Sequence, residues 1–187
     1  MGAVEETVAI FVARGGECHG EVIDQRSHAL QCAELAQAAG AADTLVAAAL
    51  LHDIGHLVAS CDQGRRGDLA VDDDHHESVG ARWVAPRFGR STAQAIALHV
   101  VAKRYQCTID PAYAASLSPA SVQTLRAQGG LLDVDAISRF EHHPGCSDAR
   151  ALRTWDEAAK DPERTTGGIE QFVPLLERLA LPSPDQH

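Results

Sequence analysis

Residues 45–56 read Leu-Val-Ala-Ala-Ala-Leu-Leu-His-Asp-Ile-Gly-His, and this stretch decides the fold class. Its first seven residues are apolar on every side, which is typical of a helix buried at the centre of an α-helical domain. Asp43 or Thr44 can cap the start of this helix, and the pattern predicts that it runs to Gly55. A histidine and an aspartate therefore stand near the end of the most apolar helix.

Helical patterns surround this stretch, and β-branched residues never alternate with polar ones over a useful length. We therefore predict an all-α protein, a single compact helical bundle over residues 1–187. Its core is expected at about 18–160, a C-terminal helix bent at Pro174 at about 169–179, and a disordered tail at 182–187. The other helices are predicted to end at Gly15-Gly16 and Gly40, to span 76–83 and 91–104, and to begin at Ser118-Pro119, Asp133 and Ser147.

Composition limits the classes of function. The chain carries a formal charge of -10 with a pI near 5.4, so no basic surface is available for a nucleic-acid backbone. The longest apolar run, residues 45–51, is far shorter than the roughly 20 residues that span a bilayer. The cysteines are odd in number and form no C-x-x-C pair, which is typical of free thiols in a reducing compartment. We expect a cytoplasmic protein that binds neither nucleic acid nor membranes.

The informative polar residues are potential metal ligands spread over different predicted helices: His28, His52, Asp53, His76, His99 and Asp156. The carboxylate of Asp53 has two oxygens and can bind two cations at once, each of which can also take imidazoles from other helices. Imidazole and carboxylate without cysteine favour iron or manganese over a structural zinc site. His75 replaces His76 as the ligand if the register of that helix differs by one residue. Burying Asp53 without a cation would cost on the order of several kcal/mol, which weakens a purely structural interpretation.

The candidate ligands stand in longer motifs: SHALQCA at 27–33, LLHDIGH at 50–56, HESVGA at 76–81, LHVVAKRY at 98–105, LSPAS at 117–121, QGG at 128–130 and RTWD at 153–156. Together these motifs resemble one group within the HD-domain superfamily, the PhnZ-type mixed-valent diiron oxygenases, and the resemblance covers about residues 18–160. Enzymes of this group cleave the C–P bond of 1-hydroxyphosphonates with dioxygen. The A-K-R-Y and Q-G-G segments are specific, whereas the His-Asp pair alone is not.

The resemblance implies two iron ions as cofactors and dioxygen as a co-substrate. One iron would be bound by His28, His52, Asp53 and Asp156. The second would be bound by Asp53, His76 and His99, with positions left for a small organophosphonate substrate. The residues implied in catalysis are Asp53, His56 and Lys103, and those implied in substrate binding are His56, Lys103, Ser121, Gln128 and Arg153, with Thr124 as a plausible addition.

The positions of two basic side chains, Lys103 and Arg153, agree with a site for such a substrate. A phosphonate dianion needs fixed positive charge inside this acidic protein. Lys103 lies four residues after His99, so both side chains project from one face of a helix. Arg153 lies three residues before Asp156, which gives the same alignment on another helix. A solvated helix face for Lys103 and a surface ion pair for Arg153 are the alternatives.

The chain departs from the group at the tyrosine that covers the open iron position, because Cys18 stands there. Glu21 matches the glutamate that binds the substrate's amine in this group, so a cationic substrate is favoured. We expect 2-amino-1-hydroxyethylphosphonate, giving glycine and phosphate, as the first choice. The N-trimethylated analogue, giving glycine betaine, comes second, since few aromatic residues are present to form a cage, and hydroxymethylphosphonate comes third.

Two other classes of function compete with this prediction. The first is a metal-dependent HD phosphohydrolase that acts on a nucleotide or another phosphate ester. The second is a binding module without metal that retains the HD shell. His76 and His99, which complete a second metal site beside the A-K-R-Y segment, favour the oxygenase over both.

Overall fold

The computed structural model describes residues 1–18, 22–62 and 75–182, and every regular element in these residues is a helix. The predicted all-α fold class is confirmed. The α-helices are α1 Ala3–Arg14, α2 Gln25–Ala38, α3 Asp43–Leu51, α4 Ile54–Asp62, α5 His76–Phe88, α6 Arg90–Ile109, α7 Pro111–Ser116, α8 Pro119–Ala127, α9 Val134–Glu141, α10 Cys146–Ala158 and α11 Val173–Leu179, with a 3-10 helix, Ile169–Phe172, before α11.

Helix α3 lies at the centre of the bundle. It packs against α2, α5, α6, α10 and α11, and residues 46–51 are all buried. Alanines at 47, 48 and 49 present little side-chain volume, so that neighbouring helices approach the α3 backbone closely. This arrangement places the end of α3, and the His-Asp pair that follows it, inside the protein.

The central helix ends earlier than predicted. It stops at Leu51, and α4 begins at Ile54, so His52 and Asp53 lie in the turn between two helices. The predicted extension to Gly55 is therefore wrong. Gly55 instead lets α4 touch α5, because a Cβ at this position would lie 2.8 Å from the carbonyl carbon of His76.

Helices α5 and α6 extend beyond their predicted ends. Helix α5 continues through Pro86 to Phe88, because Phe88 is buried in the core and a proline in the last turn costs few helical hydrogen bonds. Helix α6 continues to Ile109, and its last turns bury Tyr105 and Cys107. The longer α6 packs against both α5 and α10 and so spans the region where the candidate ligands lie.

Side-chain caps begin α7, α8 and α9. Ser118 and Asp133 accept hydrogen bonds from the amides of Ser121 and Ala136, as the sequence predicts. Helix α7 was not predicted, although Asp110 caps it and Pro111 begins it. Helix α10 begins at Cys146, one residue before the predicted cap at Ser147.

The hydrophobic core includes residues from both ends of the chain. Phe11 of α1 and Phe172 and Leu176 at the C-terminal end belong to the same buried cluster as α3. The predicted C-terminal helix of 169–179 consists of the 3-10 helix and α11, with Pro174 in the first turn of α11. The end of the predicted tail, 183–187, lies outside the described residues.

None of the helices in the described ranges has both the length and the apolar character that a membrane span requires.

The contact between α4 and α5 generates a prediction about stability. Replacing Gly55 with Ala should destabilise the protein by about 1–3 kcal/mol, because the new methyl group overlaps the backbone of His76. Thermal unfolding followed by circular dichroism measures the loss. The matched control is Gly16→Ala, where a Cβ meets no atom within 4 Å. An unfolding midpoint of Gly55→Ala equal to that of the control would contradict the close approach.

Candidate functional site

Five segments of the fold bring the six predicted metal ligands together. His28 lies in the first turn of α2, His52 and Asp53 lie in the turn after α3, and His76 begins α5. His99 lies in the middle of α6, and Asp156 lies near the end of α10. Each of these side chains is buried, apart from the Asp53 side chain, which is 20% exposed.

The first group of ligands consists of His28, His52, Asp53 and Asp156. The two Nε2 atoms lie 3.2 Å apart, and Asp53 Oδ2 is 3.4 Å from His52 Nε2 and 3.9 Å from His28 Nε2. Asp156 Oδ1 lies 3.3 Å from His28 Nε2 and 3.9 Å from His52 Nε2. Donor atoms that each lie about 2.1 Å from the same ion are separated from one another by distances in this range. The four side chains therefore form a cage for one cation.

The second group consists of Asp53, His76 and His99. The Nε2 atoms of His76 and His99 lie 3.1 Å apart, and Asp53 Oδ1 lies 3.5 Å from the first and 3.6 Å from the second. The two oxygens of Asp53 thus face different groups: Oδ2 faces the first and Oδ1 faces the second. This geometry fits a carboxylate that bridges two cations, one in each group.

Backbone carbonyls orient three of the imidazoles. The Nδ1–H groups of His28, His52 and His99 donate to the carbonyl oxygens of Ala159 (2.7 Å), Ala49 (2.9 Å) and Ile96 (2.7 Å). A carbonyl can only accept, so the proton of each neutral ring sits on Nδ1 and the lone pair of Nε2 points into the site. Lone pairs that face each other at 3.1–3.2 Å repel unless a cation or a proton lies between them. The donor set therefore fits a metal.

The charges within the site suit cation binding. Burial favours a raised pKa for Asp53, but the surrounding imidazoles of His52, His56, His76 and His99 outweigh it and hold the pKa well below its usual range. Burial and the neighbouring His76 and His52 lower the pKa of His99 to about 3, so the ring is neutral near pH 7. Asp53 is thus anionic and His99 is unprotonated, which are the forms that bind metals.

His28 differs from the other rings because of its carboxylate neighbour. Burial lowers its pKa, but the hydrogen bond and the charge of Asp156 raise it overall to about 8. A proton on His28 therefore occupies the position that a cation in the first group would take. Metal binding to this group is expected to release that proton.

A cluster of cations lies beside the metal ligands, on α6 and α10. Lys103 is 5% exposed, and its Nζ donates to Thr124 Oγ1 at 2.5 Å and to Gln128 Oε1 at 3.3 Å. Burial, Arg153 and Lys160 lower the pKa of Lys103 to about 8. Arg153 is buried as well, and it donates to Asp156 Oδ2 at 2.5 Å. The arginine thus joins the cation cluster to Asp156, a candidate metal ligand.

The remaining predicted site residues lie in three places. His56 stacks on the ring of His76, with the ring centroids 4.0 Å apart, and so lies against the second group. Ser121 is buried in α8, where its Oγ accepts a hydrogen bond from Lys160 Nζ at 2.8 Å. Cys18 is exposed after the end of α1, and no contact ties it to the metal ligands among the described residues. Glu21 lies outside the described residues.

The two specific segments of the sequence are coupled in space. Arg104 of the A-K-R-Y segment donates from Nε to the carbonyl of Gly130 at 2.8 Å and from Nη2 to that of Gly129 at 3.2 Å. These bonds fix the Q-G-G turn that follows α8, where Gln128 meets Lys103. One residue of the A-K-R-Y segment thus contacts the site, and the next holds the segment that completes it.

Sequence reasoning missed two residues of this region. Tyr113 of α7 accepts a hydrogen bond from Arg153 Nε at 2.5 Å and lines a cavity of 310 Å³ with Gln106, Arg150 and Arg153. The Asp110-Pro111 pair was a sequence signal for the helix that carries Tyr113. Lys160 follows α10 and reaches Ser121, and no motif marked it.

Comparisons with known proteins agree with this geometry. The HD domain family matches residues 26–129. The hydroxymethylphosphonate dioxygenase of Gimesia maris is 40% identical over 146 residues, which cover 78% of this chain and 72% of that protein. The 1-hydroxy-2-(trimethylamino)ethylphosphonate dioxygenase (glycine-betaine-forming) of Leisingera caerulea is 34% identical over 177 residues, which cover 94% of this chain and 89% of that protein.

A third relative, the uncharacterized protein L432 of Acanthamoeba polyphaga mimivirus, is 34% identical over 164 residues, which cover 87% of this chain and 74% of that protein. The match to the HD domain family contains five of the six candidate ligands, all except Asp156. The chain therefore belongs to the HD-domain family and, within that family, to the PhnZ-type oxygenases.

Proposed function

We propose that this chain is a diiron oxygenase that uses dioxygen to cleave the C–P bond of a 1-hydroxyphosphonate. The products are a carboxylate, formed at the carbon that carried the hydroxyl group, and phosphate. One observation carries the proposal: the two oxygens of Asp53 face two separate groups of ligands, beside a buried lysine and a buried arginine. The two named dioxygenase relatives support the reaction class.

The proposal assigns the first iron to His28, His52, Asp53 and Asp156, and the second to Asp53, His76 and His99. The first group offers four side chains and the second offers three, so the second retains more positions for a substrate. The absence of cysteine from both groups favours iron or manganese over a thiolate-rich structural zinc site. When bound, such an iron pair would supply the redox chemistry, in which the carbinol carbon is oxidised and dioxygen is reduced.

The chain's own residues bind and orient the substrate. The ammonium of Lys103 is held by Thr124 and Gln128, and it faces the region of α8 where Ser121 lies. Lys103 and Arg153 supply buried positive charge for a phosphonate dianion in a chain whose formal charge is -10. His56, stacked on His76, can donate a hydrogen bond to an oxygen bound near the second group.

We propose an aminated substrate, with 2-amino-1-hydroxyethylphosphonate first and its N-trimethylated analogue second. Glu21, which lies outside the described residues, matches the glutamate that binds the substrate's amine in this family. Hydroxymethylphosphonate, on which the Gimesia maris relative is named to act, is the third choice. The three compounds share the phosphonate and the α-hydroxyl group and differ only in the side chain that Glu21 would meet.

An assay of oxygen dependence tests the reaction class. Iron-loaded protein incubated aerobically with the three 1-hydroxyphosphonates should release phosphate from at least one of them, whereas the same incubation under argon should not. The measurement is phosphate release, with dioxygen consumption followed in parallel. Equal release under argon would favour the alternative, a metal-dependent phosphohydrolase, and would contradict the oxygenase.

Removal of a ligand tests the second metal position. His99→Ala should abolish turnover and lower the bound iron by about one ion per chain, because His99 Nε2 lies 3.1 Å from His76 Nε2 and 3.6 Å from the Asp53 oxygen that faces the second group. Circular dichroism should show that the helical content is retained. The control is His142→Ala, an exposed histidine on which neither quantity should depend. Normal turnover by His99→Ala would exclude the second iron position.

Removal of the predicted amine contact tests the substrate assignment. Glu21→Ala should raise KM for 2-amino-1-hydroxyethylphosphonate by about tenfold or more, since a charge-assisted contact is lost, and should leave KM for hydroxymethylphosphonate nearly unchanged. Glu21→Gln, which keeps the shape without the charge, should behave like Glu21→Ala toward the amine. Equal effects on both substrates would mean that Glu21 does not bind the amine.

A further inference from the structure

The chain uses lysine at only two positions, Lys103 and Lys160, while its other fourteen basic residues are arginines. Both lysines point at α8. Lys103 contacts Thr124 and Gln128, and Lys160 contacts Ser121. Lysine presents a compact ammonium with three donors, whereas arginine presents a planar fork. The two ammonium groups, which come from different parts of the fold, thus contact α8 and its C-terminal end.

Residues on α8 receive the two ammonium groups along one face. Ser121, Thr124 and Gln128 are spaced three and four residues apart, so their side chains follow one another along the same side of the helix. Lys160 Nζ lies 2.8 Å from Ser121 Oγ, and Lys103 Nζ lies 2.5 Å from Thr124 Oγ1, one turn further along. The two cations are therefore neighbours on this face.

Two buried side chains of α2 hold the backbone on either side of Lys160. The ring of the metal ligand His28 donates to the carbonyl of Ala159 at 2.7 Å. The amide of Gln31, which is buried, donates to the carbonyl of Asp161 at 2.7 Å and accepts from its backbone amide at 3.2 Å. Lys160 thus stands between two anchored residues, and its side chain, 17% exposed, is directed toward α8.

Three positive charges of this cluster, those of Lys103, Arg153 and Lys160, lie close enough to repel one another. Arg153 and Lys160 both act to lower the pKa of Lys103, because like charges repel. Glu157 lies 3.6 Å from Lys160 Nζ, but it also accepts a hydrogen bond from Arg153. A bound dianion would relieve the repulsion among the three cations.

We propose that Lys160 is a third cation of the phosphonate site, where it binds a phosphonate oxygen together with Ser121 and Lys103. The inference rests on the proposed function, which supplies the phosphonate, and adds a substrate contact from the segment that follows α10. The segment 159–161 also carries the carbonyl that orients His28. The anion contact and one metal ligand are therefore fixed by the same short piece of backbone.

The test compares Lys160→Met with Lys160→Arg in the iron-loaded protein. Loss of one charge-assisted hydrogen bond should raise KM for the hydroxyphosphonate by about tenfold to a hundredfold with little change in kcat. Lys160→Arg, which keeps the charge, should recover most of the loss. Arg178→Met is the matched control, since it also removes one positive charge. Arg178 forms an exposed ion pair with Asp43 and has no role in the proposed site.

A binding measurement separates this inference from the proposed function. Calorimetric titration of the iron-loaded protein with inorganic phosphate under argon needs no turnover. The dissociation constant should rise in Lys160→Met by the same factor as KM, while the unfolding midpoint and the iron content stay at the wild-type values. Unchanged phosphate affinity, or a loss of iron that accounts for the whole effect, would overturn the role of Lys160. If the wild-type protein turns over none of the phosphonates, the proposed function fails, and the phosphate titration still decides whether Lys160 binds the anion.

Discussion

The carboxylate of Asp53 is the constraint on which the rest of the site depends. The imidazoles of four candidate ligands, His28, His52, His76 and His99, approach it. Three of these rings, all except His76, donate their Nδ1 protons to backbone carbonyls. Their Nε2 lone pairs converge with the Asp53 oxygens, an arrangement that is stable when cations fill it. The helix break after Leu51 places Asp53 in a turn, and from this turn its two oxygens face the two groups.

The same helices that supply metal ligands supply the cations beside them. Helix α6 carries His99 and Lys103 one turn apart, and α10 carries Arg153 and Asp156 within one turn. A displacement of either helix would therefore move a candidate ligand and a neighbouring cation together. Arg104 bonds to Gly129 and Gly130, which follow Gln128, and Tyr113 accepts a hydrogen bond from Arg153, so both are tied to residues beside the site.

Much of the site could be predicted from the sequence, because ligand chemistry and helical periodicity are local properties. The six ligands, Lys103 and Arg153 all stand in recognisable motifs, and the fold brings them together. The helix break at His52-Asp53 could not be predicted, since it depends on the contact of Gly55 with α5, a segment distant in sequence. Lys160 was missed for the same reason: its position depends on His28 and Gln31, which lie about 130 residues earlier.

The most direct test of the central claim is a spectroscopic count of coupled iron ions. Protein loaded with iron-57 and partly oxidised should contain two iron ions per chain, with Mössbauer and electron paramagnetic resonance spectra of an exchange-coupled pair, because one carboxylate joins the two positions. Spectra of a single isolated iron at saturating metal would contradict a bridging Asp53. They would reduce the site to a mononuclear one.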